Sequence, residues 1–265
     1  MGTKGGPNAL IVASLNINGF SDVKQEWVAN YILNNKVDVM VIVDTRLTDN
    51  QTGWAKRRIS QIVGRGVSFV TTFRGSNLKD GIPGGIIIIS MPRMGNVVSK
   101  RDDPLRVGSR LVAAFVVGPL PFVVMGVYFP FNNKKAGIKT PDLVSKSLEH
   151  RMSRALEEKG GDEAHSKPAD FLWNYISRLS ARTRDAPRSS FVVAGDFNGT
   201  FGNSKSSYHD LHERSIAVSL VKAPGGPPAQ PLWRTRSPKP ASTMSCWRRV
   251  LPSCCAGWKL TTTQL

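Results

Sequence analysis

Four short apolar runs in this chain each end abruptly in polar groups, and that recurrence limits the possible folds more than any other feature. Ala9–Leu15 leads into Asn16-Ile17-Asn18-Gly19, Val37–Val43 into Asp44-Thr45-Arg46, and Phe122–Val127 into Tyr128-Phe129-Pro130-Phe131-Asn132. The fourth run, Ser190–Ala194, leads into Gly195-Asp196-Phe197-Asn198. Runs this short and this continuously apolar are expected of strands covered on both faces. Further strands are predicted at Val67–Phe73, at Ile86–Ser90 after the turn Gly81–Gly85, and at Arg110–Val117, which forms a hairpin with Phe122–Tyr128 around Gly118–Pro121.

Helical spacing lies between these strands. Val23, Trp27, Val28, Tyr31 and Ile32 share one face behind Ser21 or Asp22 as N-cap, and the basic stretch Thr48–Val63 holds a second candidate. A third is predicted between Pro141 and Glu158, and a fourth from Pro168 with Phe171, Leu172, Tyr175, Ile176 and Leu179 on one face. Strands alternating with helices predict a layered α/β fold, and ligands of such folds collect where the strands end.

The four strand ends carry compatible chemistry. An amide and a carboxylate, such as Asn16 and Asp44, make a hard-oxygen site for Mg²⁺, which keeps several of its waters. A second Asp/Asn pair, Asp196 and Asn198, could orient a water and hold a phosphate oxygen. Each piece alone also reads as a turn, a cap or a core aromatic.

Taken in order, Ser-Leu-Asn-Ile-Asn-Gly-Phe, Val-Asp-Thr-Arg-Leu, Val-Tyr-Phe-Pro-Phe-Asn and Ala-Gly-Asp-Phe-Asn resemble the endonuclease/exonuclease/phosphatase superfamily. The likeness is greatest to the apurinic-type endonuclease domain of non-LTR (LINE-type) retrotransposons, and it covers residues 8–201. It implies a four-layer α/β sandwich of two mostly antiparallel sheets flanked by helices, rather than a doubly wound parallel sheet. It also implies hydrolysis of DNA phosphodiesters assisted by Mg²⁺ (or Mn²⁺). By motif, Asn16 and Asp44 would hold the metal, Tyr128 would contact the scissile phosphate, Asp196 would orient or deprotonate the attacking water, and Asn198 would bind a phosphate oxygen. One departure matters: the family usually has Glu where this chain has Asp44, whose carboxylate is retracted by one methylene, roughly 1.5 Å.

The family's closing motifs, Ser-(Arg/Ile)-Ile-Asp-Tyr and the Ser-Asp-His with its catalytic histidine, are not found. His150, His165, His209 and His212 sit in polar contexts and read as surface residues. The composition also changes here. Residues 214–265 contain eight basic residues and no acidic one, with all three cysteines, three of six tryptophans and seven of 17 prolines. Shifted by one base, the codons of Ala241–Ser245 can encode Ser-Ile-Asp-Tyr-Val, and those of Trp258–Thr263 permit Leu-Glu-Val-Asp-Asp-Asn, the family's approach to Ser-Asp-His. The expected organisation is therefore an incomplete catalytic domain, 1–201, followed by a basic Pro/Cys/Trp-rich tail, 202–265, read out of frame and disordered, with the last strands missing or replaced. That loss predicts weak or no nicking and an unpaired sheet edge.

Charge agrees with a polyanionic partner. The chain carries a formal +17, of which residues 1–201 supply +10, so DNA is the expected substrate. No specific protein partner is implied. No run approaches the roughly 20 apolar residues of a membrane span, and no signal peptide is read at the N-terminus, so an intracellular, nuclear location is expected. Two other readings stay open: a phosphatase of the same superfamily, and a catalytically dead fragment that binds DNA by charge.

Overall fold

The computed structural model describes residues 10–72, 82–117, 120–131, 140, 145–185 and 190–198, and the backbone of short strands at 221–222, 245–248 and 259–262. In chain order the elements are β1 (Ile11–Asn16), α1 (Asp22–Asn34), β2 (Val39–Val43), α2 (Asp49–Val63), β3 (Ser68–Thr72) and β4 (Ile86–Ser90). There follow β5 (Val97–Arg101), β6 (Arg110–Val117), β7 (Leu120–Tyr128), α3 (Leu148–Lys159), α4 (Pro168–Asp185) and β8 (Ser190–Asp196). Three short strands close the series: β9 (Val221–Lys222), β10 (Ser245–Arg248) and β11 (Lys259–Thr262).

Up to β8 these strands make two four-stranded sheets, ordered β1-β2-β4-β3 and β5-β6-β7-β8. Each contains one parallel pair, β1 with β2 and β7 with β8, and is otherwise antiparallel. The two-residue period of the strands builds the layers. Val39, Val41 and Val43 of β2 and Ile86 and Ile88 of β4 pack between the sheets, against Leu111, Phe115, Val124 and Ala194. The alternate residues Met40, Ile42, Ile87 and Ile89 face Val28 and Ile32 of α1 and Ala55 and Ile59 of α2. On the other side, Val112, Met125 and Val193 face Met152 and Leu156 of α3 and Leu172 and Ile176 of α4. Strand residues are thus buried on both faces, at about 1.5–3 kcal/mol for each large apolar side chain. The result is the expected four-layer α/β sandwich.

Several details differ from expectation. Val23 is 78% exposed, and the buried stripe of α1 runs through Gln25, Val28, Ala29 and Ile32, while Trp27 and Tyr31 stack on each other at 5.2 Å. Within the stretch expected to be helical from Pro141, residues 141–144 lie outside the described residues and α3 proper starts at Leu148, capped by the Ser147 hydroxyl, which accepts the His150 N–H at 3.2 Å. The edge strand β5 was not expected. Its Val97-Val98-Ser99-Lys100-Arg101 is mostly exposed and charged, so no apolar pattern announces it.

The expectation of an unpaired edge is corrected. β10 pairs antiparallel with β8, Ser245 opposite Gly195 through Arg248 opposite Val192. β11 pairs parallel with β1, Ile11 opposite Lys259 through Ser14 opposite Thr262. β11 lies inside Trp258–Thr263, one of the two stretches whose shifted codons match the family's closing motifs, and β10 begins at Ser245, the last residue of the other. Edge pairing uses backbone N–H and C=O groups, so an extended segment can take such a place whatever its side chains. The remainder of 202–265, with its cysteines outside β10 and with His209 and His212, lies outside the described residues.

Candidate active site

The two parallel pairs bring four strand ends to one end of the sandwich. Asn16 ends β1, Asp44 follows β2, Tyr128 ends β7 and Asp196 ends β8; Tyr128 and Asp196 are register partners, as are Asn16 and Val43. A hydrogen bond then crosses between the sheets. Asn16 Nδ2 donates to Asp196 Oδ2 at 2.6 Å, and the Tyr128 phenol lies near enough to the Asp44 and Asp196 carboxylates to feel both charges. All five residues singled out from the sequence belong to this cluster, since Asn198 N donates to Asp196 Oδ1 at 2.8 Å.

The turns that deliver these groups use the left-handed region of backbone space. Asn18, Asp44, Arg46 and Asn198 all have positive φ, between 47° and 56°, an uncommon conformation for residues other than glycine. At Asp44–Arg46 the geometry is fixed from both sides: Gly19 N and Phe20 N donate to Asp44 O and Thr45 O, while Thr45 N and Arg46 N donate to Gly85 O and Gly84 O. A Cβ at Gly85 would lie 2.5 Å from Thr45 Oγ1, so the approach requires glycine. Lys24 Nζ holds the neighbouring loop by donating to Ile17 O at 2.6 Å and to Asn18 O and Gly19 O.

The two acids are neutralised differently. Asp44, 2% exposed, receives the Arg46 guanidinium, with Nη2 to Oδ2 at 2.9 Å and Nε within 3.3 Å of both oxygens; Gly84 N adds a bond to Oδ1 at 2.8 Å. Asp196, 1% exposed, has amide partners and no cation among its hydrogen bonds. Burial raises its pKa and the Asp44 charge adds to the rise, against the opposing hydrogen bonds from Asn16 and the Asn198 backbone. Burial, followed by the charges of Asp44 and Asp196, also pushes the Tyr128 phenol far above its ordinary range and keeps it protonated. Asn198 Nδ2 spends one hydrogen on Phe129 O at 2.6 Å, and its other N–H has no partner among the described residues.

The donors suit a hard divalent cation in kind: two carboxylates and the Asn16 Oδ1, which otherwise accepts the Asn18 N–H at 3.0 Å. Asp196 is buried beside Asp44, and burial more than the neighbouring charge raises its pKa, a cost to its ionised form that a cation would offset. Among the described residues no group of three or more His, Cys, Asp or Glu side chains could form a metal cage, and no histidine hydrogen-bonds to the cluster. His165 is exposed, and His150 lies in the first turn of α3.

Sequence reasoning missed Arg46 as the partner of Asp44. It stands in the quoted motif, but only the positive φ values at 44 and 46 reveal that its side chain folds back onto the acid. It also missed Gly84, whose N–H reaches Asp44 from 40 residues away in sequence. No helix among the described residues is long and apolar enough to cross a membrane.

No protein-family model and no curated protein sequence matches the chain. Solved structures similar to it include the endonuclease domain of TRAS1, a telomere-specific non-LTR retrotransposon, at 14% identity over 81% of this chain and 75% of that one, with a TM-score of 0.47. A mannosyl-6-phosphatase of Bacteroides thetaiotaomicron matches at 13% identity over 80% and 72%, with a TM-score of 0.46. An endonuclease/exonuclease/phosphatase family protein of the same organism matches at 13% identity over 80% and 70%, also at 0.46. These are likenesses of fold.

Proposed function

We propose that this chain is a metal-dependent phosphodiesterase of the endonuclease/exonuclease/phosphatase type, acting on DNA and impaired by the lack of the family's catalytic histidine. The observation that carries this reading is the bond between the sheets from Asn16 to Asp196, which with the Asn198 N–H on Asp196 and the Tyr128 phenol beside both acids gathers two acids, two amides and a phenol from four strand ends.

Each group then has a task. Asp44 and Asn16 would hold Mg²⁺ or Mn²⁺, which supplies charge neutralisation at the phosphoryl oxygens. Asp196 accepts a proton from the attacking water, and its raised pKa makes it a better base than an ordinary carboxylate. The unspent N–H of Asn198 Nδ2 meets a phosphate oxygen. The Tyr128 phenol, kept protonated by burial and by the two acids, donates to the scissile phosphate. No histidine is available among the described residues to assist, which limits the rate. Arg46 competes with the cation for Asp44.

The test is nicking of supercoiled plasmid by the purified chain with Mg²⁺. Slow nicking that Asp196→Ala removes supports the proposal. Hydrolysis of small phosphomonoesters faster than plasmid would replace it with the phosphatase reading. The pairing of Asp44 with Arg46 favours one second reading, DNA binding without cleavage; its signature is binding that falls steeply with salt and no nicking at any metal concentration.

A further inference from the structure

On the helix-covered face of the second sheet lies a cavity of about 230 Å³ that the proposed chemistry does not use. Five cations line it, Arg101, Arg110, Lys159, Arg178 and Arg182, against a single acid, Glu163. Glu163 is already engaged, accepting from Lys159 Nζ at 2.5 Å and from Arg178 Nη2 at 3.0 Å. Arg101 and Arg182 have no acidic partner among the described residues.

Arg110 is the unusual member. Its side chain is 4% exposed, and its buried Nε and Nη1 have no hydrogen-bond partner among the described residues. The nearest carboxylate, Asp103, stands 4.0 Å from Nε but spends its oxygens on Leu105 N, Ser109 N and Ser109 Oγ. The guanidinium instead stacks at 3.6 Å from the Tyr175 ring centroid and 4.9 Å from that of Phe171. Ring stacking holds a cation but satisfies none of its N–H groups. Burial lowers its pKa, only partly countered by Asp103. A buried arginine left in this condition needs an oxygen-rich anion.

We propose that this cavity is a second phosphate-binding site, distinct from the strand-end cluster, in which Arg110, Arg178 and Arg182 hold a phosphoryl group. The arginine fork matches phosphate oxygens, and the volume is below the roughly 300 Å³ at which drug-sized pockets begin, so one phosphoryl group with its immediate substituent fits. The cavity and the strand-end cluster occupy opposite faces of one sheet end. Arg110 is the cross-strand partner of Val127, and Ser109 O accepts the Tyr128 N–H at 2.8 Å. The phosphate belongs either to a nucleic-acid backbone or to a free phosphate ester.

Titration calorimetry of the full chain with inorganic phosphate, at constant ionic strength, tests this. Binding in the millimolar range is expected, weakened about tenfold or more in the doubly substituted Arg178→Gln, Arg182→Gln chain. Both residues are exposed, so the unliganded melting temperature should not move. Arg110→Met, which keeps the bulk against Tyr175, should abolish binding. Asn198→Ala should leave it intact, which separates this site from the strand-end cluster. If a short DNA duplex competes with phosphate the source is the nucleic-acid backbone, and if it does not the source is a free ester. Absence of binding at tens of millimolar phosphate, or binding that the double substitution leaves unchanged, overturns the proposal.

Discussion

Asp44 and Asp196 occupy matching places in the two sheets, each at the end of a parallel strand pair, yet they are stabilised in opposite ways. Asp44 is held by a guanidinium and a backbone N–H. Asp196 is held by two amide N–H groups, and its burial, with a smaller contribution from the Asp44 charge, raises its pKa. One acid is therefore anchored by a counter-charge, and the other is buried without a cation among its hydrogen bonds. The contrast shows how one site can contain two buried acids without both acting alike.

The largest expected effect breaks the anchor. Asp44→Ala leaves Arg46 and Gly84 N without their acceptor and should cost about 3 kcal/mol in urea denaturation. Asp196→Ala removes a buried charge that repels Asp44 and should cost clearly less; equal losses would erase the distinction. Next, Arg46→Ala should cost about 2 kcal/mol, because the pair is only partly exposed and Asp44 keeps its bond from Gly84 N. The same variant should bind Mn²⁺ more tightly by electron paramagnetic resonance, and unchanged affinity would show that Arg46 does not compete for the acid.

The smallest effect is one of slope. Asp196 binds its proton more tightly folded than unfolded, so its contribution to stability is complete below the ordinary carboxylate pKa near ~4 and is lost as pH rises through the folded value. Asp196→Asn lacks that loss. The melting temperature of the variant minus that of the unsubstituted chain should therefore increase from pH 4 to pH 8, and a flat difference would mean that the acid is not perturbed.

The strand ends were legible because a continuous apolar run followed by Asn, Asp or Tyr states both burial and its limit. The depth of Asp44 in the site was not, since it depends on left-handed turns at 44 and 46 and on a glycine loop 40 residues later. On α4 the face Phe171, Leu172, Tyr175, Ile176 and Leu179 was legible: Phe171, Leu172 and Ile176 are buried core, but that Phe171, Tyr175 and Leu179 also line a cavity with Arg178 and Arg182 was not. Strands β10 and β11 were illegible for another reason. Edge pairing is a backbone property, and no side-chain pattern needs to advertise it.

Gly126 of β7 faces the other sheet at close range: a Cβ there would stand 2.7 Å from Ile86 Cγ2 and 3.1 Å from Val41 Cγ1. It is two residues from Tyr128 and opposite Ala194, two residues from Asp196. A single added methyl at this point would act as a wedge behind a pair of jaws. The packed interior cannot absorb it, so the opening would be transmitted to the tips, where a gap of 2.6 Å between Asn16 and Asp196 has almost no slack. The bite of the site is thus set by an atom the chain does without.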